Sequence, residues 1–236
     1  MSIFSRTYWS EAVKSFSKTK MLVYAALICS LRIVVKALRI PVLPGGLTVS
    51  FDGYVNALGS LVYGPVVGLA VGAISDTIGA ILFPSGTYFF PFIFVEMSSS
   101  FIFGLFLWRR KITTHWVILA RFTVSFFCNV ILTSLVMKWM YAALDIEKTY
   151  YFINTARIVK NLVLFPLEGV LIALIINAFI PALKRFRFVD EQQMGIRLRK
   201  KDVLLVILLT AIAVGLVLLY VFVLKDFLQA NNWKFW

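Results

Sequence analysis

Residues 54–92 read YVNALGSLVYGPVVGLAVGAISDTIGAILFPSGTYFFPF and contain three apolar runs separated by two breaks. The first break is the Tyr-Gly-Pro sequence at 63–65, which is typical of a tight turn followed by a helix that starts with proline. The second break is FPSGTYFFP at 83–91, in which Pro-Ser-Gly interrupts a helix. This alternation of apolar helices and short turns predicts a chain that crosses a membrane repeatedly.

The composition of the whole chain supports this interpretation, because 61% of its 236 residues are hydrophobic and the mean hydropathy is +0.89. A water-soluble domain of this size could not hide so much apolar surface. A helix that spans a bilayer needs about 20 residues. Apolar runs of suitable length lie at 21–39, 48–63, 65–83, 88–108, 115–140, 157–181 and 203–224. We predict an all-α polytopic membrane protein, with a six-transmembrane-helix bundle plus one extra C-terminal transmembrane helix.

The pattern divides the chain into four segments. We predict a cytoplasmic amphipathic segment at 1–20, a six-helix membrane domain at 21–185, a basic cytoplasmic linker at 186–202, and the additional helix with a short outer tail at 203–236. An apolar stripe at helical spacing predicts that the first segment lies on the membrane surface, although a loosely ordered basic tail is the alternative. The stripe consists of Trp9, Ala12, Val13 and Phe16.

The formal net charge of +13 arises in short flanks between apolar runs, which is typical of membrane topology rather than of a nucleic-acid-binding face. The basic flanks lie around Lys18, Arg110, Lys184 and Arg199. All four fall on one side of the membrane when the N-terminus is cytoplasmic, and the positive-inside rule favours that orientation. The connections at 40–50 and 141–156 then lie outside.

Several predicted spans carry ionisable side chains, which are costly in a bilayer and therefore pair or face a cavity. The first span has Arg32 and Lys36 on one face, with Arg39 one turn later, and the sixth has Arg157, Lys160, Asn161 and Glu168 on one face. Other spans contribute Asp76, Glu96, Arg121 and Asn129. Ion pairs between helices, such as Arg121 with Glu168 or Arg32 with Asp76, are one interpretation.

The second interpretation is an outward-opening pocket for an anionic organic molecule, because the carboxylates near the cations are too few to neutralise them. Snorkelling of Lys36, Arg39 and Arg157 to headgroups is the simpler alternative. An aromatic wall for the pocket would come from Tyr54, Tyr88, Phe89 and Phe90, which are also plausible interface anchors. Glu96 is suited to ring N–H donors of a heterocycle, and the cations are suited to its carboxylates.

Catalytic and metal-binding patterns are missing from the sequence. It has one histidine, His115, no GxxxxGK[ST] and no GxSxG, and Cys29 and Cys128 lie within apolar runs. We therefore expect neither an enzyme, nor a metal site, nor a bound cofactor. Small residues at Gly64, Gly68, Gly72 and Gly79 predict close helix contacts, either within the chain or with another subunit.

Three stretches resemble a known family: AALICSLRIVVKAL at 25–38, the residues 54–92 quoted above, and ARIVKNLVLFPLEG at 156–169. Over about residues 10–185 the chain resembles the substrate-binding S components of energy-coupling factor (ECF) vitamin transporters. The pattern GPxxGxxxGxxxD…FPSG…FFP is shared loosely among several S components, whereas RxxKNxxxxPxE is similar to the folate-specific branch.

The resemblance implies a non-catalytic subunit of a bacterial cell membrane that binds folate from outside. It also implies two kinds of partner, a transmembrane coupling protein and two ABC ATPases. An AxxxA motif on the first helix contacts the coupling protein in this family, and the matching positions here are Ala26 and Ser30. The seventh span is outside the family pattern. The candidate substrate-binding residues are Arg32, Lys36, Asn56, Tyr88, Glu96, Arg157, Lys160, Asn161 and Glu168.

Two alternatives to folate binding remain open from the sequence. The same fold could take another vitamin-like compound such as queuine, pantothenate or thiamin, although a cationic pocket favours ligands that carry carboxylates. A protein of a different class, a structural membrane protein of the cell-wall elongation machinery, is also a small helix bundle. Co-purification of ATPases would distinguish the two classes.

Overall fold

The computed structural model describes residues 3–38, 40–43, 47–49, 51–84, 88–145 and 155–189, together with 204, 207, 208, 211 and 215. Its helices are α1 (Arg6–Lys14), α2 (Thr19–Ala37), α3 (Asp52–Leu82), α4 (Phe92–Leu107), α5 (Thr114–Thr123), α6 (Thr133–Ala143) and α7 (Thr155–Arg185). A 3-10 turn, Ser15–Ser17, follows α1, and a π-helical segment, Val124–Leu132, joins α5 to α6. Two short strands, β1 (Ile40–Leu43) and β2 (Leu47–Val49), lie between α2 and α3.

Helical residues occupy each of the first six predicted spans, but two connections differ from the prediction. The helix α4 begins at Phe92 rather than at residue 88, and residues 88 and 89 are not helical. Pro91 accounts for this start, because its ring fixes φ at a value suited to the beginning of a helix. The predicted loop at 40–50 contains an antiparallel hairpin, in which Ile40 pairs with Val49. Among the described residues, every regular element other than β1 and β2 is helical.

The predicted break at residues 63–65 reverses the direction of α3. Gly64 has φ 82° and ψ −176°, a conformation that residues with a Cβ rarely adopt. A straight helix would separate Asp52 from Asp76 by about 36 Å. In the structure these two carboxylates bind Arg32 and Lys36, which lie one turn apart on α2. Gly64 therefore separates two antiparallel arms, residues 52–63 and residues 65–82.

The second arm packs closely on α4 because small residues let the two backbones approach. A Cβ at Gly72 would lie 2.8 Å from the carbonyl oxygen of Glu96, and a Cβ at Gly68 would lie 3.2 Å from that of Ser100. On α4, a Cβ added at Gly104 would lie 2.5 Å from the Cα of Pro65, so α4 also packs closely on the turn. The glycines thus serve packing within the chain, one of the two interpretations left open by the sequence.

The described basic flanks meet at one end of the bundle. The ring of Tyr8 on α1 lies 4.9 Å from that of Trp108, at the end of α4. At the start of α2, the ammonium of Lys20 donates to the backbone carbonyl oxygens of Phe186 and Arg187, the latter at 3.3 Å. This arrangement agrees with the predicted topology, in which these flanks share one side of the membrane.

Three helical stretches are long and apolar enough to cross a membrane, namely Asp52–Leu82, Thr114–Ala143 and Leu164–Arg185, and Phe92–Leu107 is a shorter apolar helix. The helix α2 has sufficient length but carries Lys20, Arg32 and Lys36. Of the predicted seventh span, the structure describes only Leu204, Ile207, Leu208, Ala211 and Gly215, all helical and exposed. That span, and most of the predicted linker at 186–202, stay predictions because the other residues lie outside the described part.

Candidate functional site

Two cations on α2 organise the polar interior of the bundle. Arg32 and Lys36 are four residues apart, so they lie on one face of the helix, and that face is turned toward α3 and α4. The side chain of Arg32 is completely buried, and that of Lys36 is 7% exposed. Because the opposite face of α2 carries exposed aliphatic residues, the helix has one polar inner face and one apolar outer face.

Arg32 is bound by two carboxylates and a hydroxyl. Its Nε and Nη2 donate to the two oxygens of Asp52 at 2.9 and 3.1 Å, a bidentate arrangement. Its Nη2 also donates to Glu96 at 2.7 Å, and its Nη1 to the hydroxyl of Ser100 at 3.0 Å. One guanidinium therefore joins α2 to the first arm of α3 and to α4.

Lys36 binds the second arm of α3. Its ammonium donates to Asp76 at 3.0 Å and lies 4.0 Å from the other oxygen of Glu96. With every group ionised, the two cations and three carboxylates (Asp52, Asp76 and Glu96) give this cluster a net charge of −1. The sequence-based expectation that nearby carboxylates are too few to neutralise Arg32 and Lys36 is therefore wrong, and the suggested partner of Arg32, Asp76, pairs with Lys36 instead.

Asp52 is the member of this cluster that the sequence analysis missed. It occupies the first turn of α3, where its negative charge also suits the helix dipole. The available signal was an acid inside a predicted span, since such a residue requires a partner.

Glu96 is the most accessible carboxylate of the cluster. Its side chain is 27% exposed, against 15% for Asp76 and 11% for Asp52. The two oxygens of Glu96 face two different cations, so its position is fixed from the inner side. This exposed fraction makes Glu96 the member of the cluster best placed to contact a ligand.

A second ion pair lies beside the first cluster. The Nε of Arg121 on α5 donates to Glu168 on α7 at 2.9 Å, and its Nη2 contacts the same oxygen, as the pairing interpretation expected. A Cβ at Gly53 would lie 3.4 Å from Nη1 of Arg121, so this guanidinium is adjacent to the residue that follows Asp52. Ionisable side chains from α2, α3, α4, α5 and α7 thus converge inside the bundle.

Asn161 is positioned by the π-helical segment. Asn129, within that segment, donates from its amide nitrogen to the amide oxygen of Asn161 at 2.9 Å. The hydroxyl of Thr133 donates to the carbonyl oxygen of Cys128, five residues earlier, at 2.8 Å. Such π-helical turns are frequent at functional sites because they reorient side chains.

Asn56 is buried in a network of hydroxyl groups. Its amide nitrogen donates to Ser99 at 3.1 Å, and its amide oxygen accepts from Ser100 at 2.8 Å and from Ser60 at 3.3 Å. The residue is 1% exposed. Since Ser100 also binds Arg32, the Asn56 amide supports the ion-pair cluster from the side of α3.

The other predicted site residues occupy the opposite end of the bundle from Trp108. Arg157 and Lys160 lie in the first two turns of α7, and their side chains fall outside the described part, as does the whole of Arg39. Tyr88 precedes α4 and is 45% exposed. Of the predicted aromatic wall, Tyr54 is buried in the core, whereas Phe89 contacts the ring of Trp139 at 5.5 Å.

The predicted partner-docking residues, Ala26 and Ser30, lie on the exposed outer face of α2. The hydroxyl of Ser30 donates to the carbonyl oxygen of Ala26 at 3.0 Å, so the polar atom is satisfied within its own helix. Among the residues that the structure describes, no three His, Cys, Asp or Glu side chains form a group suited to a metal ion.

Comparison with known proteins identifies the family. The family described as "ECF-type riboflavin transporter, S component" matches residues 16–185, which includes every helix from α2 to α7. Two curated relatives carry the name "Folate transporter FolT". The protein from Leuconostoc mesenteroides is 30% identical over 151 residues, 64% of this chain and 80% of the relative. The protein from Clostridium novyi is 25% identical over 158 residues, 66% of this chain and 87% of the relative.

A solved structure shares the fold. The crystal structure of FolT bound with folic acid superposes with a TM-score of 0.55 and is 24% identical in sequence. The match covers 65% of this chain and 89% of the other. At this level of identity the similarity concerns the arrangement of helices and not the individual contacts to folic acid.

Proposed function

We propose that this chain, which belongs to the family of ECF-type riboflavin transporter S components, is the substrate-binding subunit of a vitamin importer and that its substrate is folate. The observation that carries the proposal is the similarity to two folate transporters over most of their length. Such a subunit binds its substrate without chemical change, so the polar groups inside the bundle act by recognition rather than by catalysis.

The chemistry of folate matches the charges of the bundle. Folate combines a pterin ring, which presents N–H donors, with a glutamate that carries two carboxylates. We assign the pterin to Glu96, because a partly exposed carboxylate is a strong acceptor for a pair of N–H donors. We assign the glutamate to Arg157 and Lys160, which precede Asn161 at the start of α7.

The remaining predicted site residues have supporting roles in this proposal. Arg32 and Lys36 hold Glu96, and Asn56 holds Arg32 through Ser100. Glu168 is engaged by Arg121, so we assign it to joining α5 and α7. Tyr88, which is exposed near the start of α4, is assigned to the rim of the site.

Titration of the purified chain with folic acid, monitored by calorimetry, tests the proposal. Wild type, Arg157→Ala, Lys160→Ala and the control Lys111→Ala are compared, because Lys111 is an exposed cation in the α4–α5 connection. Tight one-to-one binding that is weakened by the two α7 substitutions and not by the control supports folate and the placement of its carboxylates.

Riboflavin is the second ligand in the same titration, because the family description names it. It carries no carboxylate, so the two α7 cations have no partner in it. If the folded chain binds riboflavin and not folic acid, the family assignment holds and the proposed substrate is wrong. If it binds neither ligand, the proposed importer function loses its support.

The importer also requires partners that supply energy. We propose a transmembrane coupling protein and two ABC ATPases, a bacterial plasma membrane as the location, and a cytoplasmic N-terminus.

Because Ala26 and Ser30 lie on the exposed face of α2, an Ala26→Trp substitution is expected to reduce co-purification of the ATPases without reducing folate binding. The control is Ile81→Trp, since Ile81 is 71% exposed on a different helix. Equal recovery of the ATPases with both variants would contradict docking at α2.

A further inference from the structure

We propose that α1 is an in-plane membrane anchor that binds anionic phospholipid on the leaflet at the basic end of the bundle. This inference concerns a surface remote from the ion-pair cluster and does not depend on the identity of the transported ligand. It rests on three separate arcs around α1, which face the protein, the lipid and the water.

The first arc attaches α1 to the rest of the protein. Tyr8 and Ala12 are completely buried and pack with Trp108, which ends α4. Burial raises the pKa of Tyr8 to about 12. Glu11 contacts Arg109, so the one acid of α1 is engaged by the α4–α5 connection. These contacts fix the rotation of α1 about its axis.

The second arc is apolar and its side chains are exposed. Trp9, Val13 and Phe16 are 37%, 58% and 38% exposed. At about 100° per residue Trp9 and Val13 fall about 40° apart on α1, beside the buried arc, and Phe16 follows in the 3-10 turn. The ring of Trp9 stacks on that of Phe101 of α4 at 6.1 Å, so the arc continues the outer surface of α4. Three residues of the predicted stripe are thus exposed, whereas Ala12 packs on the protein.

The third arc is polar and basic. Arg6 and Lys14 are exposed on α1, and Lys18 is exposed just after it. A helix with an apolar side and adjoining lysine or arginine side chains is typical of binding in the interface of a membrane, where cations near an anionic leaflet strengthen the attachment. The charge therefore favours anionic phospholipid over an apolar protein surface as the occupant.

Depth-dependent quenching tests the anchor. A fluorophore that responds to polarity is attached to the new cysteine of a Val13→Cys or a Thr7→Cys variant, and Thr7 is an exposed residue on the polar arc. The two native cysteines are left in place because both are buried. The full chain is placed in nanodiscs of phosphatidylcholine with or without phosphatidylglycerol, and one set contains lipids brominated near the headgroup. Quenching at position 13 is expected to exceed that at position 7 several-fold and to increase with phosphatidylglycerol.

A charge-removed variant gives the second half of the test. In the Lys14→Gln/Lys18→Gln chain, the increase with phosphatidylglycerol is expected to disappear while the apolar contact of position 13 with lipid remains. Equal quenching at positions 7 and 13 would overturn the anchor. Shielding of position 13 only after the coupling protein is added would also overturn it, and would identify α1 as a protein-docking surface.

Discussion

Arg32 carries its charge inside the bundle with three side chains around it. The guanidinium binds Asp52 through two hydrogen bonds, and it also binds Glu96 and Ser100. A buried ion pair contributes little compared with an apolar pair of the same shape, but removal of one partner leaves an uncompensated charge. The cluster is therefore sensitive to single substitutions and supports a specific arrangement of α2, α3 and α4.

Replacement of Arg32 by methionine is expected to destabilise the protein strongly. Asp52 would lose both of its guanidinium donors, and a broken buried pair costs about 3–5 kcal/mol. Thermal unfolding in detergent measures the effect, with Lys111→Met as the control because Lys111 is exposed. A double variant, Arg32→Met with Asp52→Asn, should recover part of the loss. Unchanged melting of Arg32→Met would show that the pair does not hold the bundle.

Replacement of Glu96 by glutamine separates recognition from folding. Arg32 keeps Asp52 and Lys36 keeps Asp76, so the fold should survive and the cluster charge should change from −1 to 0. A hydrogen bond to a charged group contributes about 1.5–3 kcal/mol, so folate affinity should fall by about tenfold or more. Calorimetry gives the affinity, and the melting temperature confirms that the variant is folded. Unaltered affinity would remove Glu96 from the ligand site.

At the scale of elements, the turn at Gly64 gives α3 its two antiparallel arms. The first arm presents Asp52 to Arg32, and the second presents Asp76 to Lys36. The turn also fits under Trp108, whose ring would lie 2.8 Å from a Cβ at Gly64. A single backbone conformation thus determines how two carboxylates from one helical stretch reach the same face of α2.

Alanine at position 64 should be poorly tolerated. The positive φ of 82° costs a residue with a Cβ on the order of 1–3 kcal/mol, and the methyl group also meets the ring of Trp108. The matched control is Gly215→Ala, since an added Cβ at Gly215 would meet no atom within 4 Å. Thermal unfolding should show a lower melting temperature for the first variant only. Equal melting of both variants would mean that the turn relaxes without strain.

At the scale of the whole molecule, the bundle has one basic end and one end with the β-hairpin and the start of α7. Lys20 joins the start of α2 to the end of α7 at the basic end, and α1 lies beside the end of α4. The outward surface between the two ends carries exposed aliphatic and aromatic side chains, which suits lipid. The polar cluster is enclosed by this apolar surface.

Labelling in intact cells checks the proposed orientation. The cysteine of a Lys111→Cys variant should be protected from a membrane-impermeant maleimide. The cysteine of a Phe90→Cys variant should react, because Phe90 is 61% exposed near the start of α4. The native cysteines are buried and should give little background. Permeabilised cells serve as the control, since both positions should then be labelled. The reverse pattern in intact cells would place the N-terminus outside.

Much of the fold could be predicted from the sequence, because apolar length and turn residues act locally. The break at Gly64 and the continuous helix at 155–185 are examples, and the pairing of Arg121 with Glu168 followed from their predicted depth. The hairpin at 40–49 was not predicted, because its strands are only four and three residues long and depend on pairing with each other.

The sequence by itself determined that the chain is a helical membrane protein, that several of its spans carry charges, and which family the chain resembles. Those properties depend on composition and on spacing along single helices. Only the tertiary structure decided that Asp52 pairs with Arg32 and Asp76 with Lys36, because these two carboxylates lie on arms whose relative placement depends on the turn and on the close contact with α4. It also decided the rotation of α1, because burial of Tyr8 and Ala12 against Trp108 determines which side chains remain outside.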